Sequence, residues 1–451
     1  MALITPCTPP GTMELLPRQQ IVFQRMMDTI RRGFELYGFL PIETPVFEVS
    51  DVLLSKSGGE TEKQIYYVQS TGGLEQGHKP GLALRFDLTV PLARYVAEHE
   101  ADLPFPFRRY QIQRVYRGER SQRGRYREFY QCDIDVIGKD TLPLAFDAEM
   151  PAVIHTLFSE LKVGPFQINF NNRKVLQGLF ESLGIFEAER RMDVLRQVDR
   201  LEKIGAEAVR GLLMGGDLGL DGDLADGILE LVAIRGSADQ VLARLAAMAA
   251  RPQANGVFVQ GVQELGEVVA HLRAFGVPES HWSINLGIAR GLDYYTGTVY
   301  ETFLTDHPGM GSVCSGGRYD NLASQYTKSR LPGVGISIGL TRLFYVLSEA
   351  GIVNQGPSTV KVLVTQFDPA LLPEYLALAA ELRSGGVNTE IHLQPAKIAR
   401  QFKYADRAGI PYAVVMGSEE MASGLVTVKD LRTGAQVSIP RADLLGHFLK
   451  G

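Results

Sequence analysis

Eight arginines fall within the twenty residues from Arg108 to Arg127: Arg108, Arg109, Arg114, Arg117, Arg120, Arg123, Arg125 and Arg127. Glu119 is the only acidic residue in that window, in a chain whose net charge is −5. The planar guanidinium fork is suited to two-pronged capture of phosphate oxygens. The surrounding text, FRRYQIQRVYRGERSQRGRYREFYQCDIDVIG, reads as a strand, a Gly-bounded loop and a second strand. The window therefore points to a nucleotide-phosphate or polyanion site built on a hairpin. A merely solvated edge hairpin is the alternative.

Other stretches could supply complementary chemistry. Strand side chains alternate between faces. In YQCDIDVIG this puts Tyr130, Cys132, Ile134 and Val136 on one face, suited to a core, and Gln131, Asp133 and Asp135 on the other. The same rule places Arg85, Asp87 and Thr89 together in LRFDLTV. Two such polar-faced strands would offer acceptors to a cationic amine, or would be an ordinary solvated face. RGLDYYTGTVYE gathers Arg290, Asp293, Tyr294 and Tyr295 in a β-prone segment. GMGSVCSGGRYDNL reads as a glycine-dense turn, either a plain turn or a cradle for phosphate. In GVGISIGLTRLF a strand enters a helix with Arg342 in its first turn, a place suited to a terminal phosphate or to a structural salt bridge. There is no GxxxxGK[ST] P-loop and no Rossmann glycine spacing.

At 451 residues the chain exceeds one ordinary core, so two or three domains are expected. Its apolar and charged fractions, 45% and 22%, are those of a soluble globular protein. No stretch approaches the roughly 18 apolar residues of a membrane span, and the N-terminal text shows no secretory signal, so a cytoplasmic location without a membrane partner is expected. Cys7, Cys132 and Cys314 are too few and scattered for a disulfide framework or a zinc site, and no protein-held metal is expected. Slight global acidity argues against indiscriminate nucleic-acid binding and leaves a local basic surface as the route to such a partner.

The positioning elements follow from periodicity. Val22, Phe23, Met26, Met27, Ile30, Phe34 and Tyr37 mark one face of a helix stopped at Gly38. Pro41 and Pro45 confine the following extended stretch to an edge or interface. Helix-forming text dominates 166–275, resembling an insertion. Asn354–Ser358 reads as a linker, and the alternating strands and helices beyond it predict a parallel-centred α/β domain of about ninety residues. The expected parts are 1–165, a first mixed part; 166–275, the helix-rich insertion; 276–353, where strand patterns return; and 359–451, a C-terminal domain.

Taken together, these motifs make the chain resemble the histidyl-tRNA synthetases, a class II aminoacyl-tRNA synthetase family, over essentially its whole length. The N-terminal helix plus PIETP is similar to class motif 1, YRGERSQRGRYREFYQ to motif 2 and GVGISIGLTRLF to motif 3. RGLDYYTGTVYE and GGRYD resemble the two histidine-specific signatures, and RQFKYADRAGIPYAVVMG resembles the family's anticodon-binding domain. The resemblance implies a fold of mixed α/β and α+β domains: a mostly antiparallel catalytic sheet flanked by helices, a helical insertion and a C-terminal α/β anticodon-binding domain. It implies activation of L-histidine by ATP, with Mg2+ bound to the ATP, and transfer of histidine to tRNA(His) by a homodimer.

By motif match, Arg117 would hold the α-phosphate and Arg290 would approach it from the substrate side, the two catalytic cations. Glu119, Arg125 and Arg342 would place ATP, with Arg342 on the γ-phosphate. Asp87, Thr89 and Gln131 would grip the α-amino group of histidine. Asp135 and Tyr295 would read its ring, with Arg290 and Tyr294 in the same site. Gln122, Arg123 and Arg127 would face the tRNA acceptor end. Two departures stand out: Asp135 where many bacterial members carry Glu, and Thr341 where the class usually has Glu. Arg400, Lys403 and Arg407 recur along a C-terminal helix and could face RNA or simply solvent. The rival assignments are a histidine-sensing regulatory paralogue of ATP phosphoribosyltransferase, a class II enzyme for threonine, proline or glycine, and a non-catalytic RNA-binding module.

Overall fold

The structure, a computed structural model, describes residues 3–54, 64–120, 122–198, 200–216, 218–288, 294–353 and 358–449. It divides into a unit spanning Met1–Glu14 and Met26–Val353 and a unit spanning Leu15–Arg25 and Asn354–Gly451.

The first unit is organised by β1 (Leu40–Pro41), β2 (Phe47–Val49), β3 (Tyr67–Val68), β4 (Leu82–Leu84), β5 (Phe107–Tyr116), β6 (Glu128–Ile137), β7 (Phe166–Asn172), β8 (Trp282–Ile284), β9 (Thr298–Leu304), β10 (Cys314–Tyr319) and β11 (Gly333–Gly339). Eight of them form one sheet in the order β1-β5-β6-β11-β10-β9-β7-β8. Only the outer pairs β1–β5 and β7–β8 run parallel. The arginine-rich hairpin β5–β6 thus lies inside the sheet, not at an edge. The expected N-terminal helix is Pro17–Leu36, with Phe23, Met26, Ile30 and Phe34 buried on one face. Pro41 sits in the two-residue edge strand β1, where its missing N–H costs no ladder bond.

Three expectations need correction. First, the helix-rich segment starts at Arg173 rather than 166, because Phe166–Asn172 pairs along its whole length with β9. Seven helices follow among the described residues, from Arg173–Ser182 to Gly256–Ala274. Second, Arg85, Asp87 and Thr89 do not share a strand face. β4 ends at Leu84, and Thr89 opens the helix Thr89–Glu98. Arg85 turns inward to donate to the carbonyls of Thr44 and Arg114. Third, the glycine-dense GMGSVCSGGRYDNL is not chiefly a turn, since Cys314–Tyr319 is an interior strand. Its glycines allow close strand packing: a Cβ on Gly316 would collide with the Gly335 carbonyl, and one on Gly317 would lie 2.8 Å from the Thr298 carbonyl.

The second unit carries β12 (Val362–Val364), β13 (Thr389–Ile391), β14 (Tyr412–Val415), β15 (Leu425–Asp430) and β16 (Gln436–Pro440), ordered β13-β12-β14-β15-β16. β12 is parallel to β13 and β14, and β15–β16 is an antiparallel hairpin. This is the parallel-centred α/β domain expected from the alternation of its text.

GGRYD is clamped to the rest of the first unit through a buried ion pair. The Arg318 guanidinium donates to both Asp147 oxygens, with Nη2–Oδ2 at 2.5 Å, and Thr298 Oγ1 donates to Asp147 Oδ1 at 2.7 Å. Removing one partner leaves the other charge buried and unpaired. Arg318→Ala should therefore lose about 3–5 kcal/mol of unfolding free energy in a denaturant titration. A loss below about 1 kcal/mol would contradict this role.

Candidate active site

The strand register of β5, β6 and β11 builds a polar floor. Arg109 stands opposite Asp135, Gln111 opposite Asp133 and Gln113 opposite Gln131. β11 adds Gly335 beside Asp135 and Ser337 beside Asp133. The other face of β6 is core, with Cys132, Ile134 and Val136 fully buried and Tyr130 half-buried. The polar face is buried too: Arg109, Gln111, Gln131, Asp133 and Asp135 are all removed from solvent. A Cβ at position 335 would collide with the Asp135 carboxylate, so only glycine lets β11 lie there.

Charge is concentrated on this floor. Arg109 Nη2 lies 2.5 Å from Asp135 Oδ2, and Tyr319 donates to Asp135 Oδ1 at 2.8 Å. Both oxygens expected to face an imidazole are thus engaged by protein donors. Asp87 Oδ1 accepts from the Val90 N–H at 3.1 Å, and Tyr294 donates to Asp87 Oδ2 at 3.3 Å. The Tyr294 ring meets that of Tyr295 edge-on at 4.9 Å between centroids. Burial raises Asp87 and Asp135 to about 6, against the opposing pull of Val90 N–H, Arg117 and Tyr294 on the first and of Arg109 and Tyr319 on the second. It raises Asp133 to about 7, although Arg109 opposes it. Burial likewise pushes the Tyr294 hydroxyl well above its ordinary range.

Beside this recess opens a cleft lined by Arg117, Glu119, Arg125, Phe129, Gln131, Ser315, Ser337 and Arg342. Arg117, just past the end of β5, donates through Nε to the Phe86 carbonyl at 3.0 Å and lies over the Phe129 ring. Arg342, in the first turn of the helix Leu340–Glu349, donates to the Ser312 carbonyl at 2.7 Å. Burial, then the nearby Arg125 and Arg117, hold the Arg342 guanidinium down to about 10, with Glu119 opposing. Among the described residues, neither Arg117 nor Arg342 has an ion-pair partner. Arg125 pairs with Glu119 at 3.3 Å. A polyphosphate would relieve this like-charge crowding. Gln131 and Ser337 line the cleft and also belong to the polar floor, so the cationic cleft and the acidic recess adjoin.

The remaining candidates separate. Gln122 and Arg123 are exposed on the hairpin loop, and Arg123 lies 3.6 Å from Glu349. Arg127, expected beside them, instead reaches the Glu119 and Pro10 carbonyls. Arg108 pairs with Glu149 and covers the Phe39 ring, and Arg114 pairs with Glu128. Arg290 and Asp293 lie outside the described residues. Thr341 has a definite partner: its Oγ1 accepts the Tyr130 N–H at 2.8 Å, fixing the helix start to β6. Sequence reasoning missed Arg109, Ser337 and Tyr319 as site residues. Only the hairpin register sets Arg109 against Asp135.

A mostly antiparallel sheet carrying convergent arginines, with an α/β unit that matches an anticodon-binding domain over residues 359–450, defines an aminoacyl-tRNA synthetase. The histidyl-tRNA synthetase model matches residues 11–343. The chain is 59% identical to a histidine–tRNA ligase of Xanthomonas axonopodis pv. citri, over 98% of this chain and 95% of that protein. It is 58% identical to the one of Stenotrophomonas maltophilia, over 98% and 97%. The crystal structure of histidyl-tRNA synthetase from Nostoc sp. PCC 7120 superposes with a TM-score of 0.88 at 41% identity, covering 99% of this chain and 100% of that one. The chain belongs to the histidyl-tRNA synthetase family.

The raised carboxylates give the site a pH signature. A carboxyl raised on folding contributes stability below its ordinary range near pH 4 that is lost as pH rises through its folded value, here about 6 to 7. A bound ammonium favours the ionised forms and reverses that loss. Saturating histidine should therefore raise the melting temperature more at about pH 8 than at about pH 5.5, by a few degrees. Equal shifts would contradict the placement of an ammonium among these carboxylates.

Proposed function

We propose that this chain is a histidine–tRNA ligase that joins L-histidine to ATP, releasing pyrophosphate, and then transfers histidine to the 3′ end of tRNA(His). The observation that carries the reading is the meeting of Arg117 and Arg125, from one hairpin, with the sequence-distant Arg342 in one cleft beside a recess of buried carboxylates and tyrosines. Attack by the histidine carboxylate on the α-phosphorus builds negative charge on the phosphoryl oxygens, and fixed cations aimed there lower the barrier. Arg117 takes the α-phosphate and Arg342 the γ-phosphate, with Glu119 and Arg125 at the cleft wall. Arg290 would add a second cation at the α-phosphate by motif resemblance. Mg2+ would arrive bound to ATP and would supply charge neutralisation at its phosphates.

In the recess, Asp87, Thr89 and Gln131 receive the α-ammonium. Tyr295 and the Arg109-anchored Asp135 meet the imidazole, whose neutral ring offers one donor and one acceptor. A site built for such bonds rejects isosteres lacking them by large factors. Gln122 and Arg123 face the acceptor end, while Arg127 acts through the loop's shape. Arg400, Lys403 and Arg407 lie on the exposed face of Ile398–Ala408 and suit the phosphates of an unstacked anticodon loop. In this reading 1–172 and 276–353 perform activation, 173–274 is an insertion and 359–451 reads the tRNA. We also infer a homodimer through the N-terminal elements and a cytoplasmic location. No described helix is long and apolar enough to cross a membrane. The regulatory-paralogue alternative has no observation in its favour: both family models match and the identities to ligases are high.

The purified protein should catalyse ATP–pyrophosphate exchange with histidine and with no other standard amino acid. Arg117→Ala should slow exchange roughly 30- to 1,000-fold, about 2–4 kcal/mol of transition-state stabilisation. Near-normal exchange in that variant would remove Arg117 from the mechanism. Truncation after residue 353 should spare exchange and impair charging, and equal charging by the shortened chain would contradict the anticodon role.

A further inference from the structure

A second cavity, of about 380 Å³, lies between the catalytic sheet and the helical insertion. Its floor is the pair β7–β9, where Asn169 stands opposite Glu301, with Phe303 two residues further along the same face. All three side chains are half-buried. The insertion contributes Val198, Leu201 and Arg235. Strand register fixes where this cavity sits. Glu301 is directly opposite Ser315 across β9 and β10, and Ser315 is directly opposite Ser337 across β10 and β11. Ser315 and Ser337 line the cationic cleft, whereas Glu301 lines the cavity. Opposed residues share a sheet face, and neighbouring strands lie about 4.8 Å apart. The cavity therefore begins one strand away from the cleft, on the same face.

Its polar groups keep donors in hand. Ser283 donates to Asn169 Oδ1 at 2.7 Å, which leaves the Asn169 NH2 as a donor. Arg235 gives Nη1 to the Val232 and Ile234 carbonyls at 2.5 and 3.0 Å. It has no carboxylate partner among the described residues. A Cβ on Gly287, another lining residue, would lie 3.6 Å from Arg235 Nη2, which sets that nitrogen at the cavity rim. A guanidinium suits a phosphodiester, an aromatic ring stacks on a base, an amide reads a base edge, and a carboxylate accepts from ribose hydroxyls. Together these groups fit one nucleotide.

We propose that this cavity receives the 3′-terminal nucleotide of the tRNA, with its ribose hydroxyls on Glu301 beside the cleft where histidine is activated. This rests on the histidine–tRNA ligase reading and gives the insertion a share in holding that substrate. Histidine and ATP have their places in the recess and the cleft. The hydroxyl that takes the histidyl group must arrive next to both, and the cavity adjoins the cleft by a single strand. Arg235 takes the last phosphodiester, Asn169 the base edge and Phe303 the base face.

The test uses full-length protein and tRNA(His) transcripts that are either intact or trimmed of the 3′-terminal nucleotide. Arg235→Ala and Asn169→Ala should each lower kcat/KM for tRNA in charging about tenfold, while pyrophosphate exchange, which uses no tRNA, stays within about twofold. Affinity for the intact transcript should fall by a similar factor, and affinity for the trimmed one should not change. Arg235 is exposed, so its variant carries the test if Asn169→Ala does not fold. Unchanged charging in a folded variant would overturn the proposal. So would an equal loss of affinity for both transcripts, which would put the contact elsewhere on the tRNA, or a parallel fall in exchange, which would report a distorted cleft. Weakened inhibition of exchange by AMP with charging intact would assign the cavity to a free mononucleotide and would also overturn it. Absence of histidine-dependent exchange in the unaltered enzyme would instead remove the ligase reading itself.

Discussion

The site depends on burying charge that the described residues alone do not balance. Asp87, Asp133 and Asp135 are enclosed with Arg109, and only Arg109 Nη2 is committed to a carboxylate, that of Asp135. Three carboxyls against one guanidinium leave an excess of acid in a medium that penalises unpaired charge. The penalty appears as carboxyl titrations pushed up to about 6 to 7. A ligand bringing one ammonium among them allows ionisation and gains the attraction together. The cleft next door has the opposite imbalance, with Arg117, Arg125 and Arg342 crowded against Glu119. A zwitterionic amino acid and a polyphosphate are the ligands that these two imbalances jointly favour.

The fold holds the imbalance in place through strand register. Arg109 meets Asp135 because β5 and β6 pair for ten residues without a bulge, and Ser337 meets Asp133 because β11 pairs with the next edge of β6. A one-residue slip would send the whole polar set to the core face. Three anchors resist that slip: Thr341 on the Tyr130 N–H, Tyr319 on Asp135 and Arg318 on Asp147. GGRYD is thus structural, its glycines admitting neighbouring strands and its arginine and tyrosine locking them.

Much of this was legible in the residues themselves. Period-two alternation in YQCDIDVIG separated core from polar floor, and the Gly-bounded arginine run located the hairpin. What alternation could not supply was partnership across strands. It did not show that Arg108, Arg109 and Arg114 are committed to structural ion pairs while Arg117 is not, since that depends on register. It extended a strand through LRFDLTV, where the chain breaks at Leu84 because Arg85 turns inward to backbone carbonyls. It read GSVCSGG as a turn because glycine's usual role is conformational, whereas here the constraint is steric. The family resemblance supplied substrate and roles that no spacing rule could, and it supplied Arg290 without a described position.

One ammonium is expected among Asp87, Gln131 and the floor carboxylates, with a triphosphate across Arg117 and Arg342. A crystal structure with histidine and a non-hydrolysable ATP analogue tests it most directly. The amino nitrogen should lie within hydrogen-bonding distance of Asp87 and of the Gln131 amide oxygen, with phosphate oxygens on both arginines. Histidine bound elsewhere, or carboxylates still closed off by Tyr294 and Tyr319 with the ligand outside, would contradict it.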